Sequence, residues 1–296
     1  MKTIGVTVSN ERRFPNDLLK FKDKFRFKSI EPGKLQSSIA DCDILYLWSL
    51  AYRELDDVIN SSCRLPDCIY VARQGGDEWL KKKLSSRSTK LYYAKGAFSK
   101  AIAEYTLASL FMLSKNLHVT AIQNDWRKYS SDWIFGSRAL ILGRGDIALN
   151  IKLLFEKVGI HSCMIGRKDV RNISRKKITG KLGVYINDTD HVICCLPSER
   201  GTQNILNFEF FSDFTNINFV NISRGEVLDT DGLLNALDKN FVRAAVLDVF
   251  KKEPLEKGNL LWGDKRVIVS PHQSYRTHDW EEKLHRCFME YLTNLM

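Results

Sequence analysis

Short apolar runs alternate with stretches of helical periodicity along most of this chain. The runs are rich in β-branched and aromatic residues, and such runs between amphipathic helices are typical of a doubly wound parallel sheet. Apolar positions at helical spacing also predict one long buried helix over residues 99–117. The pattern therefore predicts the α/β class. The segments that fit strands are residues 3–8, 43–48, 68–73, 91–94, 139–142, 162–165, 191–196, 218–222, 244–247 and 266–269.

Composition and charge narrow the class of protein. With 296 residues, of which 44% are hydrophobic, the chain is long enough for two domains. Its net charge of +10 could indicate a nucleic-acid partner, but the cations are scattered and lack interleaved aromatics. We expect a solvated surface that attracts anionic small molecules, and no nucleic-acid partner. The N-terminus lacks a signal-peptide pattern and no apolar segment could span a bilayer, so we expect a cytoplasmic protein without membrane contact.

The cysteines argue against a metal centre. There are seven, an odd number, and they lack the paired CxxC spacing of a zinc site. Cys194 and Cys195 follow the apolar residues of HVICCLP, which is typical of thiols packed in a core. We expect free thiols and no bound metal.

A glycine-spaced turn follows the apolar run 139–142 and precedes an apolar helix. This order of strand, glycine turn and helix is the one that a dinucleotide site requires, and it predicts a Rossmann-like domain. One glycine allows the tight turn, the next admits the pyrophosphate, and a small residue lets the helix pack on the strand; a generic strand-to-helix turn is the alternative. The residues of the turn are Gly143, Arg144, Gly145, Asp146, Ile147 and Ala148. Asp146 must point away from the phosphates.

The strand 162–165 should end near the adenosine ribose, where an acid would bind the 2′-hydroxyl of NAD. The residues there are Gly166, Arg167 and Lys168. Two cations suit a 2′-phosphate, so we expect NADP or NAD as the cofactor with NADP favoured; a solvated basic loop is the alternative interpretation.

Three later strands are each followed by one polar residue. These are Arg224 in FVNISRG, Glu253 in AVLDVFKKEPL and His272 in VIVSPHQS. Oxidation of a hydroxy acid needs a base for the hydroxyl proton, a cation for the carboxylate and carbonyl oxygens, and a partner for the base. His272 suits proton exchange, Glu253 would favour its protonated form, and the planar fork of Arg224 can bind and polarise the substrate. Each residue alone could instead form a cap or a surface pair.

The chain resembles the D-isomer-specific 2-hydroxyacid dehydrogenase family, and within it the glyoxylate and hydroxypyruvate reductases. The similarity covers about residues 70–275 and depends on an ordered set of motifs. These are ARQGGDEW, GAFSKAIAEYTLASLFML, GRGDIA, CCLPSERGTQNIL, FVNISRGEVLDTDGLLNAL, AAVLDVFKKEPL and SPH.

The resemblance implies roles for several residues. Arg224, Glu253 and His272 would be catalytic, and the backbone of Gly75 and Gly76 would bind the substrate carboxylate together with Arg224 and His272. The residues implied to contact the cofactor, besides the turn, are Leu196, Pro197, Ile222, Ser223, Arg224, Asp248 and His272, of which Leu196 and Pro197 would line the adenosine side.

The resemblance also implies two Rossmann-like doubly wound parallel-sheet domains with the active site in the cleft between them. We expect a discontinuous substrate-binding domain over residues 1–95 and 270–296, and a dinucleotide-binding domain over residues 96–269. The family forms homodimers through the nucleotide domains, and we expect the same here.

Some features depart from the family pattern. Ala148 replaces the last glycine of the turn, and the ribose-binding acid is missing. The first seventy residues match poorly, so the sequence leaves the identity of the substrate acid open. Two other functions are possible on this scaffold. One is a dinucleotide-sensing protein like the corepressors that resemble this family. The other, ranked lower, is formate or phosphite oxidation, since the family's formate enzymes carry glutamine where Glu253 stands.

Overall fold

A computed structural model shows the fold and describes residues 1–10, 12–48, 52–75, 78–124, 126–173, 181–199 and 201–296. The chain divides into two compact units. Residues 1–97 and 278–296 form the first unit, and residues 98–277 form the second. Each unit contains its own parallel sheet, which confirms the predicted class of two parallel-sheet α/β domains.

The first unit contains a five-stranded parallel sheet in the order β2-β1-β3-β4-β5. Its strands are β1 (Lys2–Thr7), β2 (Phe25–Ile30), β3 (Ile44–Leu47), β4 (Cys68–Val71) and β5 (Lys90–Tyr93). The second unit contains a six-stranded parallel sheet in the order β11-β10-β9-β8-β6-β7. Its strands are β6 (Arg138–Leu142), β7 (His161–Ile165), β8 (His191–Cys194), β9 (Ile217–Asn221), β10 (Val242–Leu247) and β11 (Val267–Val269).

Helices connect the strands in both units. Those of the first unit come from both ends of the chain, and the helices in chain order are α1 (Leu35–Ser38), α2 (Tyr52–Asn60), α3 (Glu78–Leu84), α4 (Ser99–Ser114), α5 (Leu117–Thr120), α6 (Asp146–Lys157), α7 (Arg167–Ile173), α8 (Lys181–Asn187), α9 (Phe208–Phe211), α10 (Thr230–Asp238) and α11 (Trp280–Thr293). Within the described ranges, none of these helices has the length and apolar character needed to cross a membrane.

The structure contains a strand at each of the ten predicted segments and one more, β2. β2 lies at the edge of its sheet, where cationic Arg26 and Lys28 alternate with Phe25 and Phe27. Charged residues are common on edge strands because they oppose pairing with another chain, and they interrupt the apolar run that marks an interior strand. The predicted helix 99–117 ends early, at Ser114, because Asn116 adopts the left-handed φ of 53° that often terminates helices.

The second unit extends to residue 277, whereas the predicted domain boundary lies at residue 270. The backbone of residues 270–277 is bound there by Asp248, which follows β10. Its carboxylate accepts hydrogen bonds from Gln273 N at 2.8 Å and from Ser274 N at 2.9 Å. The assignment of substrate binding to the first unit stays a prediction.

The C-terminal helix α11 completes the core of the first unit. Tyr46 of β3 is fully buried and stacks on Phe288 of α11, with ring centroids 3.9 Å apart and planes at 10°. The Tyr46 hydroxyl lies 2.9 Å from Nδ1 of His285, also on α11. Stacked aromatic pairs contribute beyond the area they bury, so this contact explains why the chain end is part of the first unit.

A buried histidine lies at the start of β8 in the second unit. His191 is bonded through both ring nitrogens, with Ser137 Oγ 3.2 Å from Nε2 and Asn218 Nδ2 3.3 Å from Nδ1. The amide oxygen of Asn218 accepts from Arg243, so its NH₂ group must be the donor to Nδ1. Nδ1 is therefore an acceptor, and the ring is neutral. Burial lowers the pKa of His191 from 6.5 to about 4.

This lowered pKa makes stability depend on pH. Because the unfolded chain takes up a proton near pH 6.5 and the folded chain only near pH 4, the His191 contribution is complete above pH 6.5 and is lost as the pH falls towards 4. Between these two pKa values, we expect the free energy of unfolding to fall by about 1.4 kcal/mol for each pH unit. Urea unfolding of His191→Gln between pH 7.5 and 5 should show a shallower decline than the wild type, with exposed His161→Gln as the control. Equal slopes for wild type and His191→Gln would contradict this account.

Candidate active site

The strand order of the second sheet reverses between β6 and β8, because β7 lies on the outer side of β6. In open parallel sheets, ligands bind at the carboxyl ends of the strands beside such a reversal. Gly143 directly follows β6 and adopts a φ of 133°. A Cβ at this position would lie 3.1 Å from the carbonyl oxygen of Cys195, which follows β8. Both the conformation and the close approach therefore require glycine.

The rest of the turn fits a dinucleotide. Apart from its own local backbone, no atom of the described residues lies within 4 Å of the position that a Cβ on Gly145 would occupy, so this side of the turn is open to a ligand. Ala148 is fully buried, which lets α6 pack against the sheet. The amides of the first turn of α6 then lie where a pyrophosphate binds best. The predicted turn, from Gly143 to Ala148, thus has the geometry that this group needs.

The carboxylate of Asp146 lies at the start of α6, where its negative charge would repel a bound phosphate. It accepts a short hydrogen bond from the Ser99 hydroxyl, at the start of α4. The side chain of Asn150 donates at 2.9 Å to the backbone carbonyl of Asp146. The bond from Ser99 directs the carboxylate towards α4, the helix packed beside α6.

The end of β7 is occupied by cations and their partners. Arg144 Nη2 lies 3.4 Å from Asp169 Oδ2, and Arg167 forms an ion pair with Glu199. Lys168 forms no ion pair with any residue in the described ranges. The acid that sequence reasoning missed is Asp169. It was not apparent because it lies four residues beyond the strand, inside α7.

The side chains of His272 and Glu253 are in contact in the structure. Nδ1 of His272 lies 2.9 Å from Oε2 of Glu253, and the other Glu253 oxygen accepts the backbone N–H of Phe250 at 2.9 Å. The two side chains remain 39% and 37% exposed, so both can be reached from solvent. Because Glu253 binds Nδ1, the Nε2 atom is the one that can exchange a proton with a substrate.

Asp248 is predicted to face the nicotinamide, and in the structure its side chain contacts the segment that carries His272. Its side chain is fully buried, and Oδ1 accepts from Ser270 Oγ at 2.7 Å and from Gln273 N at 2.8 Å. Oδ2 accepts from Ser274 N at 2.9 Å. The carboxylate is thus enclosed by protein donors, and its contact with a nicotinamide stays a prediction. It binds the loop on both sides of His272.

Tyr105 extends this network to α4. Its hydroxyl forms a short hydrogen bond with Ser270 Oγ, and burial raises the pKa of Tyr105. The phenol therefore stays protonated and can act as a donor. Neither Tyr105 nor Ser270 carried a chemical signal in the sequence, because each stands in an apolar context typical of core packing.

Arg224 lies on the loop after β9, next to the loop that carries Glu253. Its Nη1 donates to the backbone carbonyl of Ser223 at 2.6 Å. The neighbouring Gly225 packs directly on backbone, since a Cβ there would lie 1.9 Å from the carbonyl carbon of Phe250. Phe250 in turn donates to Glu253. Gly225 therefore fixes the spacing between the Arg224 loop and the Glu253 loop.

The other residues predicted to contact the cofactor or the substrate differ in how far they are buried. The side chains of Leu196, Ile222 and Ser223 are buried, so a cofactor could meet only their backbone, whereas Pro197 is exposed. The Leu196 side chain belongs to the core of the second unit, and the predicted place of Leu196 and Pro197 on the adenosine side stays a prediction. Gly75, in the first unit, has a φ of 135° and open space at its Cβ position. Gly76 lies outside the described residues, and substrate binding by this pair stays a prediction.

Metal-ligating clusters are lacking in the ranges that the structure describes. The cysteines near the glycine turn are also unsuited to nucleophilic chemistry. Cys194 is buried with its Sγ 3.1 Å from Ser223 Oγ, and burial raises the pKa of its thiol to about 11. A thiol with so high a pKa carries little thiolate at neutral pH.

A glycine turn at the strand-order reversal, with a histidine–carboxylate pair at the same sheet edge, defines a dinucleotide-binding α/β protein. A family model for the D-isomer specific 2-hydroxyacid dehydrogenase NAD binding domain matches residues 107–274, more than half of the chain. The chain belongs to the D-isomer specific 2-hydroxyacid dehydrogenase family, as its motifs predicted.

The names of the curated relatives refer to several different acids. D-3-phosphoglycerate dehydrogenase 1 of Saccharomyces cerevisiae is 23% identical over 218 residues, which are 68% of this chain and 46% of that protein. Glyoxylate/hydroxypyruvate reductase A of Photorhabdus laumondii is 28% identical over 179 residues, 57% of this chain and 56% of that protein. The chain thus spans about half the length of these relatives or less, and 30% of a chloroplastic D-3-phosphoglycerate dehydrogenase of Arabidopsis thaliana.

Solved structures share the fold over nearly the whole chain. A glyoxylate reductase from Paecilomyes thermophila superimposes with a TM-score of 0.78 at 17% identity, covering 99% of this chain and 94% of that one. A D-isomer specific 2-hydroxyacid dehydrogenase from Xanthobacter autotrophicus Py2, in complex with NADPH and MES, gives a TM-score of 0.74 at 16% identity, covering 98% and 96%. At these identities the likeness shows the fold alone.

The contact at Gly225 can be tested by adding one methyl group. In Gly225→Ala, the Cβ would overlap the backbone of Phe250 and Lys251, so we expect destabilisation of about 3 kcal/mol and displacement of the Glu253 loop. Urea unfolding followed by tryptophan fluorescence measures the loss. Gly258→Ala is the matched control, since no described atom lies within 4 Å of its Cβ position. Equal stability of the two variants would refute the packing argument.

Proposed function

We propose that this protein is an NAD(P)-dependent oxidoreductase that transfers a hydride between the nicotinamide and a small 2-oxo or D-2-hydroxy acid. The observation that carries the proposal is the 2.9 Å contact between His272 and Glu253. It lies at the carboxyl edge of the sheet that also carries the glycine turn, in a chain of the 2-hydroxyacid dehydrogenase family. Glyoxylate and hydroxypyruvate are the favoured substrates, supported by the names of relatives.

The proposed reaction transfers a hydride and a proton, and different groups carry the two. A nicotinamide held at the glycine turn would supply the hydride for reduction of the carbonyl carbon and would accept it in the reverse direction. His272 donates a proton from Nε2 to the carbonyl oxygen as the hydroxyl forms, and takes it back in the reverse direction. Glu253 orients the ring through Nδ1 and stabilises the imidazolium. The hydride on carbon and the proton on oxygen together convert the carbonyl into a hydroxyl group.

Arg224 is proposed to bind the substrate carboxylate and to polarise the carbonyl. Its guanidinium is planar and permanently charged, so it can offer two parallel N–H donors to a carboxylate. The side chain is partly buried, and its loop is fixed against the Glu253 loop by Gly225. This placement supports a role beside the proton donor.

We further propose NADP as the preferred cofactor. The end of β7 carries Arg167 and Lys168, and Gly166 occupies the strand end where an acid would bind the ribose 2′-hydroxyl of NAD. Cations at that position favour a 2′-phosphate. One structural neighbour was crystallised with NADPH, which supports this choice.

A homodimer formed through the second unit is also proposed. The segment after α5 exposes Trp126 to 96%, Trp133 to 82% and Phe135 to 77%. Large aromatic side chains exposed close together in sequence are typical of an interaction surface. A second copy of this chain is the proposed partner.

The proton-transfer role is tested by His272→Ala. We expect reduction of glyoxylate or hydroxypyruvate with NADPH to slow by about 10²–10⁴-fold, because the positioned proton donor is lost, while NADPH binding is retained. Steady-state absorbance at 340 nm and a fluorescence titration of NADPH measure the two quantities. The control His161→Ala removes an exposed histidine at the opposite end of the sheet.

The wild-type protein is first assayed against glyoxylate, hydroxypyruvate, pyruvate and bulkier 2-oxo acids with both reduced cofactors. Cofactor binding without turnover of any acid would favour the dinucleotide-sensing alternative. Full activity in His272→Ala would instead leave the reaction class intact but remove the assigned proton donor.

The dimer is tested by sedimentation velocity on the double variant Trp126→Ser with Trp133→Ser. We expect the wild type to sediment as a dimer and the variant as a monomer, because the exposed indoles would be buried in the interface. Leu260→Ser, at another exposed apolar position, is the matched control and should remain a dimer. A monomeric wild type, or a variant that stays dimeric, would contradict the proposed interface.

A further inference from the structure

The guanidinium of Arg144 lies over the end of β7. Its central carbon is 3.7 Å from the position that a Cβ on Gly166 would occupy, and its Nε is 3.8 Å from the same point. Gly166 is the position where an acid would bind the ribose 2′-hydroxyl. The cation from the glycine turn therefore lies beside the place where the distinguishing group of the dinucleotide is recognised.

Asp169 orients this guanidinium. Its Oδ2 accepts the backbone N–H of Gly166 at 3.0 Å and lies 3.4 Å from Nη2 of Arg144. The carboxylate is thus bound to the strand end itself, and it attracts Arg144 to that end rather than out into solvent. A ribose 2′-hydroxyl would have to compete with the backbone amide of Gly166 for this oxygen.

The neighbouring charges leave an excess of cations. Arg167 is paired with Glu199, and Lys168 has no ion-pair partner in the described part of the chain. Among the described residues, the end of β7 is therefore surrounded by three cations and two acids. These are Arg144, Arg167 and Lys168, and Asp169 and Glu199. A dianionic phosphate would fit this balance better than a neutral hydroxyl does.

We propose that the side chain of Arg144 is a specificity-determining residue that binds the 2′-phosphate of NADP, with Asp169 as its positioning residue. Arg144 is 66% exposed and its ion pair is long, so turning its fork to a phosphate costs little. In return it gains charge-assisted hydrogen bonds to phosphate oxygens. This inference rests on the proposed use of a nicotinamide dinucleotide and assigns the choice between the two forms to a residue of the glycine turn.

The test is calorimetric binding of NADPH, NADH, adenosine 2′,5′-bisphosphate and 5′-ADP to the full chain. In Arg144→Gln we expect an affinity loss of about tenfold or more for the two 2′-phosphorylated ligands, and unchanged affinity for the other two. Asp169→Asn should lower the ratio of NADPH to NADH affinity by a smaller factor. Arg138→Gln, on the same strand as the turn but at its opposite end, removes one arginine as the control.

A second variant places an acid at the strand end. Gly166 has an ordinary backbone conformation and its nearest neighbours lie at van der Waals distance, so Gly166→Asp can fold. Its carboxylate would neutralise Arg144 and bind a ribose hydroxyl, which should invert the preference towards NADH. Circular dichroism melting checks that each variant is folded.

The outcomes separate this inference from the proposed function. Equal losses for all four ligands in Arg144→Gln, or no loss for any of them, overturn the inference while binding by the wild type leaves the proposed function standing. A wild type that binds neither dinucleotide overturns both. A selective loss of the 2′-phosphorylated ligands, absent in Arg138→Gln, supports the assignment.

Discussion

The buried carboxylate of Asp248 determines how the segment after β11 is arranged. Removing a carboxylate from water is costly unless hydrogen bonds replace its hydration, and here the replacements come from Ser270, Gln273 and Ser274. Those donors can be supplied only if the segment curls around the carboxylate. His272, enclosed in this curl, adopts a left-handed φ of 49°, which is unusual for a histidine. The position of His272 is therefore a consequence of satisfying one buried charge.

A second constraint connects this segment to the loops beside it. Glu253 binds His272 with one oxygen and the Phe250 amide with the other, and the backbone of Phe250 is the surface on which Gly225 packs. Close backbone packing leaves little freedom in the separation of the two loops. Arg224 adjoins Gly225, so the guanidinium is placed by the same contacts that place the carboxylate. Three strand ends distant in sequence are thus coupled, two of them by backbone packing at Gly225 and the third through the carboxylates of Glu253 and Asp248.

The sequence predicted the buried strands well because a parallel strand covered on both faces is a continuous apolar run. β2 escaped notice since its Arg26 and Lys28 break that run at a sheet edge. Among site residues, His272, Glu253 and the glycine turn were identified from residue type and position after a strand. The burial of Asp248 and Leu196 could not be predicted in the same way. A residue just beyond a strand end points inwards or outwards according to the loop that follows, and residue type alone does not determine that loop.

The charged groups at the dinucleotide edge differ in kind from Asp248. Asp146, Asp169 and Glu199 are each bound to a hydroxyl or a guanidinium at the surface, where ion pairs contribute at most about 1 kcal/mol to stability. Their value lies in orientation, since each fixes the direction in which a nearby charge faces. A carboxylate turned towards α4 removes repulsion from the pyrophosphate position, while carboxylates turned towards Arg144 and Arg167 retain those cations at the ribose position. Carboxylates therefore have opposite effects at the two proposed anion positions, according to the partner that each one binds.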